Sequence, residues 1–141
     1  MAMVSHSIFL DMEQGDLGQE YLVHTVLESI PWNQEGLIAA IAQDAQSKEV
    51  LMLAWVNREA LMETLSTRRV CYWSRSRQQL WRKGESSGHI QTLIEARLDC
   101  DGDALLLLVQ QQGPACHTHR PNCFYIGLDT EQATILTEPM R

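Results

Sequence analysis

The stretch HIQTLIEARLDCDGDALLLLVQQQ, His89 to Gln112, decides the fold. His89 to Asp99 and Ala104 to Gln112 read as two long strands, and Asp101-Gly102 between them is a pair that favours a tight hairpin turn. The acidic cluster Asp99-Cys100-Asp101-Gly102-Asp103 therefore falls at a hairpin tip. Gly113-Pro114 ends the second strand, a Cys/His loop follows, and Phe124-Tyr125-Ile126 reads as a last short strand before a polar tail.

Toward the N-terminus, the apolar runs Leu37 to Gln43 and Glu49 to Val56 flank Asp44-Ala45-Gln46-Ser47-Lys48, a polar hairpin loop. Asn57 is placed to cap a helix over about Arg58 to Arg69, with Leu61, Met62 and Leu65 facing the core. Glu59 lies near the positive end of that helix and Arg68 and Arg69 near its negative end, as its dipole favours. Val70-Cys71-Tyr72-Trp73 reads as a strand, and the polar, basic, glycine-punctuated segment Ser74 to Gly88 as a binding loop. A weak helical spacing, Leu17, Tyr21, Leu27 and Ile30, closed by Pro31, marks the first part of the chain. The expected fold class is α+β, mainly antiparallel strands with one or two helices. The expected organisation is an N-terminal extension packed on the domain (1–35), the domain itself (36–128) and a C-terminal tail (129–141).

At 141 residues, with 45% hydrophobic and 21% charged residues, the chain has the make-up of a soluble domain with a real core. No basic stretch followed by an apolar run opens it, and no window approaches about 18 uninterrupted apolar residues, so neither a signal peptide nor a membrane span is expected. The cytoplasm is the expected compartment. Cysteines stay reduced there, so the four in this chain are read as ligands, nucleophiles or core residues before disulfides. A net charge of -7 argues against general nucleic-acid binding. Yet of 11 Lys and Arg, Arg68, Arg69, Arg75, Arg77, Arg82 and Lys83 crowd into one short stretch, which suits a small phosphorylated ligand.

Cys100, Cys116 and Cys123 are soft donors of the kind zinc prefers, and Asp99, Asp101 and Asp103 are hard donors suited to magnesium, calcium or manganese. Three cysteines leave zinc one position open, which a catalytic zinc needs to activate water. The plainer readings are small buried hydrophobes for the cysteines and a solvated acidic turn for the aspartates. An EF-hand fails, because its sixth position requires glycine and its twelfth glutamate, where this chain has Ala104 and Gln110. His117 and His119 between the cysteines are each a proton carrier, a fourth ligand or a loop residue, with proton carrier favoured for His117. Trp73, Ser74, Arg75, Ser76, Arg77, Lys83, Ser86 and Ser87 interleave guanidinium, hydroxyl and aromatic groups, the parts of a nucleotide site, against the plainer reading of a solvated basic edge. Cys71 reads as a buried strand residue.

Together these segments resemble the phosphoribosyl-AMP cyclohydrolase family, histidine-biosynthesis enzymes that open a purine ring. The resemblance runs from about Gly36 to Tyr125. It rests on Val50-Leu51-Met52-Leu53-Ala54-Trp55, Asn57-Arg58-Glu59-Ala60-Leu61, Trp73 to Gly88, Asp99 to Asp103, and Gly113-Pro114-Ala115-Cys116-His117-Thr118 through Cys123-Phe124-Tyr125. It implies one zinc per subunit held by Cys100 of one subunit and Cys116 and Cys123 of the other, one magnesium held by Asp99, Asp101 and Asp103, and an intertwined homodimer. It also implies hydrolysis of the N1 to C6 bond of 1-(5-phosphoribosyl)-AMP by a zinc-activated water. For that reaction His117 is the leading candidate for general acid and base, because an imidazole can take the water proton and return it, and no nucleic-acid or membrane partner is expected. The family usually has glycine after Cys-His-Thr; His119 stands there in this chain and is a candidate further zinc ligand. The fused pyrophosphohydrolase domain of some relatives is absent from this sequence, so a separate protein is expected to supply the preceding step. Two other functions compete: a zinc-stapled module that binds a nucleotide or an RNA loop, and an adenine-nucleotide deaminase, whose His-x-Glu and Pro-Cys-x-x-Cys signature is missing here.

Overall fold

The structure is a computed structural model and describes residues 7–141. Its centre is a six-stranded sheet built from β1 (Ile38–Asp44), β2 (Val50–Val56), β3 (Cys71–Ser74), β4 (Gln79–Arg82), β5 (Gln91–Leu98) and β6 (Ala104–Gln111), in the order β4-β3-β2-β1-β6-β5. All neighbours are antiparallel except β1 and β6, which run parallel through the middle of the sheet from Ala39 opposite Ala104 to Asp44 opposite Val109. The two expected hairpins, β1–β2 and β5–β6, are thus joined side by side.

Local chemistry sets the turns. The Asp44 carboxylate accepts the amides of Ser47 (2.8 Å) and Gln46 (3.1 Å), and Lys48 closes the β1–β2 loop in the left-handed region at φ 68°. Asn57 Oδ1 accepts the Ala60 amide at 2.8 Å and opens α3 (Arg58–Thr67). Thr64 in that helix takes the Cys71 amide at 2.9 Å and so docks the helix on β3. Buried on α3 are Ala60, Leu61 and Thr64; Leu65 is half-buried and Met62, expected in the core, is exposed, because it lies on the helix face turned from the sheet.

One face of the sheet carries the core. Register places Ile38, Ala40 and Ala42 of β1 beside Val56, Ala54 and Met52 of β2 and next to Leu105 and Leu107 of β6, with Val109 continuing that row, and nearly all are buried. Tyr72 and Leu93 complete this surface from the flanking strands. The chain's first part covers it: α1 (Ile8–Glu13), capped by Ser7, and α2 (Val23–Ser29) contribute Phe9, Leu27 and, just past α2, Ile30. Helical spacing was expected from Leu17 onward; Leu17 is instead fully exposed between the helices, and Pro31 follows Ile30. Bonds from Val70 N–H to the Gln91 carbonyl (3.1 Å) and Leu93 N–H to the Arg68 carbonyl (2.8 Å) tie β5 to the chain entering β3, so the sheet curls on itself.

Three further differences from the sequence reading concern edges. Gln79–Arg82, inside the expected binding loop, is strand β4, an exposed polar edge that takes its register from β3 rather than from apolar patterning. The strand expected at 124–126 is β7 (Ile126–Leu128). The expected polar tail supplies its partner, β8 (Ala133–Ile135), across a turn in which Asp129 Oδ1 accepts the Glu131 and Gln132 amides, each at 2.8 Å. Among the described residues no helix is long and apolar enough to cross a membrane.

Candidate active site

The cysteine loop after β6 is held from below by a buried polar chain. Tyr72 Oη donates to Gln91 Oε1 (2.7 Å), Gln91 Nε2 donates to Gln111 Oε1 (2.9 Å), and Gln111 Nε2 reaches the His89 carbonyl (3.2 Å). Each member is satisfied, so the chain fixes where the backbone leaves the sheet at Gly113-Pro114. Beyond it, Cys116 N–H donates to the Arg120 carbonyl (3.2 Å), His119 N–H to the Cys116 carbonyl (3.0 Å) and Cys123 N–H to the Leu51 carbonyl (2.8 Å), which pins the loop to β2. From the other side, Arg120 Nε donates to the Thr137 carbonyl (2.6 Å) and Met140 N–H to the His119 carbonyl (2.7 Å).

Within this loop the sulfurs of Cys116 and Cys123 interact directly, and Thr118 Oγ1 donates to Cys116 Sγ at 3.0 Å. Burial alone pushes the Cys116 thiol up, but hydrogen bonds from Thr118 and Cys123 and the positive charge of Lys83 outweigh it and hold Cys116 below the usual thiol value. Cys123 is pushed up to about 11, first by desolvation and then by the neighbouring Cys116 charge. Of the two thiols, Cys116 is therefore the more readily deprotonated. Lys83, assigned to substrate from the sequence, points its Nζ at the Ala115 carbonyl (2.5 Å) and lies 5.2 Å from the Trp81 ring centroid. Desolvation lowers its pKa, and the two sulfurs work in the opposite sense.

A cavity of about 840 Å³ opens over this loop. Its lining brings Cys116, His117 and Cys123 together with Ser74, Ser76, Arg77, Lys83, Ser86 and Ser87 of the segment read as a nucleotide site. Trp73 and Arg75 are not in the lining: Trp73 pairs with Trp55 across β2–β3, and the Arg75 guanidinium sits 4.8 Å from the Trp55 ring centroid. His89, which sequence reasoning missed, also lines the cavity, as do His119 and Trp81. The only sequence signal for His89 is its place after the Ser86-Ser87-Gly88 turn. Cys71 is buried, its thiol pushed up to about 12 by desolvation first and by Glu63 next, and has the character of a core residue.

The acidic turn lies at the opposite end of the β5–β6 hairpin. Eight residues of β6, at ~3.4 Å each, put on the order of 27 Å between Cys100 and the Cys116–Cys123 loop. Asp99 and Asp103 face each other: the Asp99 Oδ1 accepts the Asp103 amide (3.0 Å), and the two carboxyls share a hydrogen bond. That contact and the Asp99 charge raise the Asp103 pKa. Burial pushes Asp99 up, but bonds from Asp103 and from backbone amides leave it below its ordinary value. The tip rests on Phe9, which packs over Gly102.

Among the described residues no group of three or more His, Cys, Asp or Glu stands ready to hold a metal within one chain. The donor chemistry fits metals nonetheless. Two converging sulfurs, one with its pKa lowered, suit zinc, and two opposed carboxyls suit a hard dication that relieves their repulsion.

A thiol pair set in a cavity lined by Arg77, Lys83 and serine hydroxyls supplies the donor types that an enzyme acting on a phosphorylated small molecule would use. The sequence model of the family described as phosphoribosyl-AMP cyclohydrolase matches residues 52–125. The chain is 62% identical to phosphoribosyl-AMP cyclohydrolase 2 of Pseudomonas fluorescens, over 94% of this chain and 90% of that one. It is 58% identical to phosphoribosyl-AMP cyclohydrolase of Alkalilimnicola ehrlichii, over 94% and 93%. The corresponding protein of Hydrogenovibrio crunogenus is 56% identical over 94% and 90%. The chain belongs to the phosphoribosyl-AMP cyclohydrolase family.

Proposed function

We propose that this protein hydrolyses 1-(5-phosphoribosyl)-AMP between N1 and C6 of the adenine ring, giving the formimino-aminoimidazole carboxamide ribotide, a step of L-histidine biosynthesis in the cytoplasm. The observation that carries the reading is the single cavity in which Cys116, His117 and Cys123 face Ser74, Ser76 and Arg77 in a chain of this family.

Zinc would be held by Cys116 and Cys123 together with the partner subunit's Cys100, and magnesium by Asp99, Asp101 and Asp103, one of each per subunit. When bound, zinc supplies Lewis-acid activation of a water at neutral pH. The chain's own residues do the rest. Thr118 and Lys83 lower the Cys116 pKa toward the thiolate form that a soft metal requires. Arg77, Ser74 and Ser76 bind a phosphate of the substrate by charge-assisted hydrogen bonds. His117 takes a proton from the water that attacks C6 and returns it to N1 as the N1–C6 bond breaks. The water oxygen stays on C6, which leaves the ring with its amine as a carboxamide, and N1 departs protonated.

Two observations support a homodimer. The eight residues of β6 lie between Cys100 and the other two thiols, and among the described residues no group of three metal-binding side chains forms within one chain, so a three-thiol site requires a second copy. The sheet face opposite the core also carries a row of incompletely buried apolar side chains in register, Leu53, Ile41 and Leu106. The test of the function is direct: incubate the purified protein with phosphoribosyl-AMP and follow the ultraviolet spectrum with and without a chelator. Ring opening that the chelator abolishes is the expected result; an unchanged spectrum in the metal-replete protein would refute the proposal.

A further inference from the structure

Two imidazoles in the cavity have no role in the chemistry above. His89 ends the loop after β4, His119 lies in the cysteine loop, and their rings meet edge to face with centroids 6.1 Å apart and planes at 83°. The backbone concedes something at two places to seat them. His119 holds φ at 68°, a left-handed conformation uncommon for a residue with a Cβ. Gly113 has no side chain where a Cβ would lie 2.7 Å from His89 Cδ2, so a larger residue there would displace the ring. The strained position is pinned from both sides, by His119 N–H on the Cys116 carbonyl and Met140 N–H on the His119 carbonyl. Strain that the surroundings enforce is found where a side chain is needed at one place.

That place is one end of the cavity. The four residues of β4, which lie along the chain between it and Arg77, span about 14 Å at the strand rise of ~3.4 Å. A neutral imidazole donates one N–H, and Ser87, whose Oγ accepts the His89 amide at 3.2 Å, keeps its own hydroxyl proton to donate. The cavity therefore has two separated donor clusters, one of arginine and serines and one of histidines and serine. A ligand with a phosphate at each end, as the proposed substrate has, matches that layout. We propose that His89 and His119 form a second phosphomonoester subsite, opposite the Arg77 cluster. The proposal rests on the substrate named above.

Binding of AMP, ribose 5-phosphate and adenosine to the zinc-loaded protein, with KM and kcat for phosphoribosyl-AMP, tests it in wild type, His89→Ala, His119→Gly and His119→Asn. Loss of one hydrogen bond to a charged group predicts that His89→Ala and His119→Gly each raise KM about tenfold, with a fall in kcat of less than about threefold. One phosphate probe should weaken by a similar factor while adenosine does not, and which one weakens identifies the phosphate held. His119→Asn, which tolerates the left-handed backbone and keeps a donor, should recover most of the loss. Unaltered affinity for both phosphate probes in both deletion variants overturns the proposal. So does zinc loss in His119→Gly, which would make His119 a ligand. A wild type that binds the probes but never opens the ring counts against the activity alone, and the probe affinities still decide the subsite.

Discussion

Replacing Gly102 by alanine should disconnect the acidic turn from its support. A Cβ at that position would lie 2.3 to 2.8 Å from Phe9 Cζ, Cε2 and Cε1, and the residue holds φ at 72°. The backbone conformation alone costs about 1–2 kcal/mol with a side chain present. The clash is with ring atoms of Phe9, a side chain 6% exposed; driving it out forfeits roughly 1.5–3 kcal/mol of burial. The expected destabilisation is therefore about 4 kcal/mol, and at ~2.1 cal/mol/K per residue this lowers Tm by about 10 °C or more. Phe9→Ala alone should cost about 3 kcal/mol. In the double variant the clash has no partner, so Gly102→Ala adds only its backbone cost and the two changes couple by about 2 kcal/mol. Urea denaturation of the four proteins at one fixed concentration measures this, since the proposed dimerisation would make apparent stability depend on concentration. Additivity within about 0.5 kcal/mol would refute the account of the turn.

The remaining predictions concern charge and catalysis. Asp44 has its pKa lowered chiefly by the Ser47 amide. The stability it contributes is then present above the unfolded carboxylate value and lost as pH falls through the lower folded one. The stability difference between wild type and Asp44→Ala should shrink as pH drops from about 5 to 3; a flat difference counts against it. Lys83→Met removes the donor to the Ala115 carbonyl and the charge beside both sulfurs, so zinc affinity, read by chelator competition, should fall by about tenfold or more. Unchanged affinity with a raised KM would return Lys83 to the substrate. His117→Ala should lower kcat by about a hundredfold or more with zinc retained, and zinc loss would recast it as a ligand.

The parts of the fold legible in the sequence are those set by neighbours along the chain. Asn57 announced α3 because a cap acts within one turn, and Asp44 to Lys48 announced a hairpin because its bonds are local. The parallel pairing of β1 with β6 was not legible, since it joins strands about sixty residues apart and no local preference encodes it. Strand β4 was hidden because its Gln79, Trp81 and Arg82 face solvent, and an exposed edge lacks the apolar alternation that marks a buried strand. Phe9 rather than Leu17 reaches the core for a similar reason: which apolar residue of a weak pattern is buried depends on the surface it meets. At the site, the spacing of Cys116 and Cys123 allowed convergence, and the structure brings their sulfurs together. That Lys83 turns to the Ala115 carbonyl, and that His89 joins the cavity across the space above Gly113, follows from tertiary contacts alone.

The most direct test of the account is complementation between two inactive variants. Cys100→Ser and Cys116→Ser, each purified alone, should neither retain zinc at the site nor open the ring of phosphoribosyl-AMP. Unfolded and refolded together in equal amounts, half of the dimers are mixed, and each mixed dimer has one site whose Cys100, Cys116 and Cys123 are all intact. Ring opening should return to about a quarter of the wild-type rate, with zinc recovered in proportion. A mixture as inactive as its components, formed under conditions in which wild type refolds and exchanges subunits, would contradict a site shared between two chains.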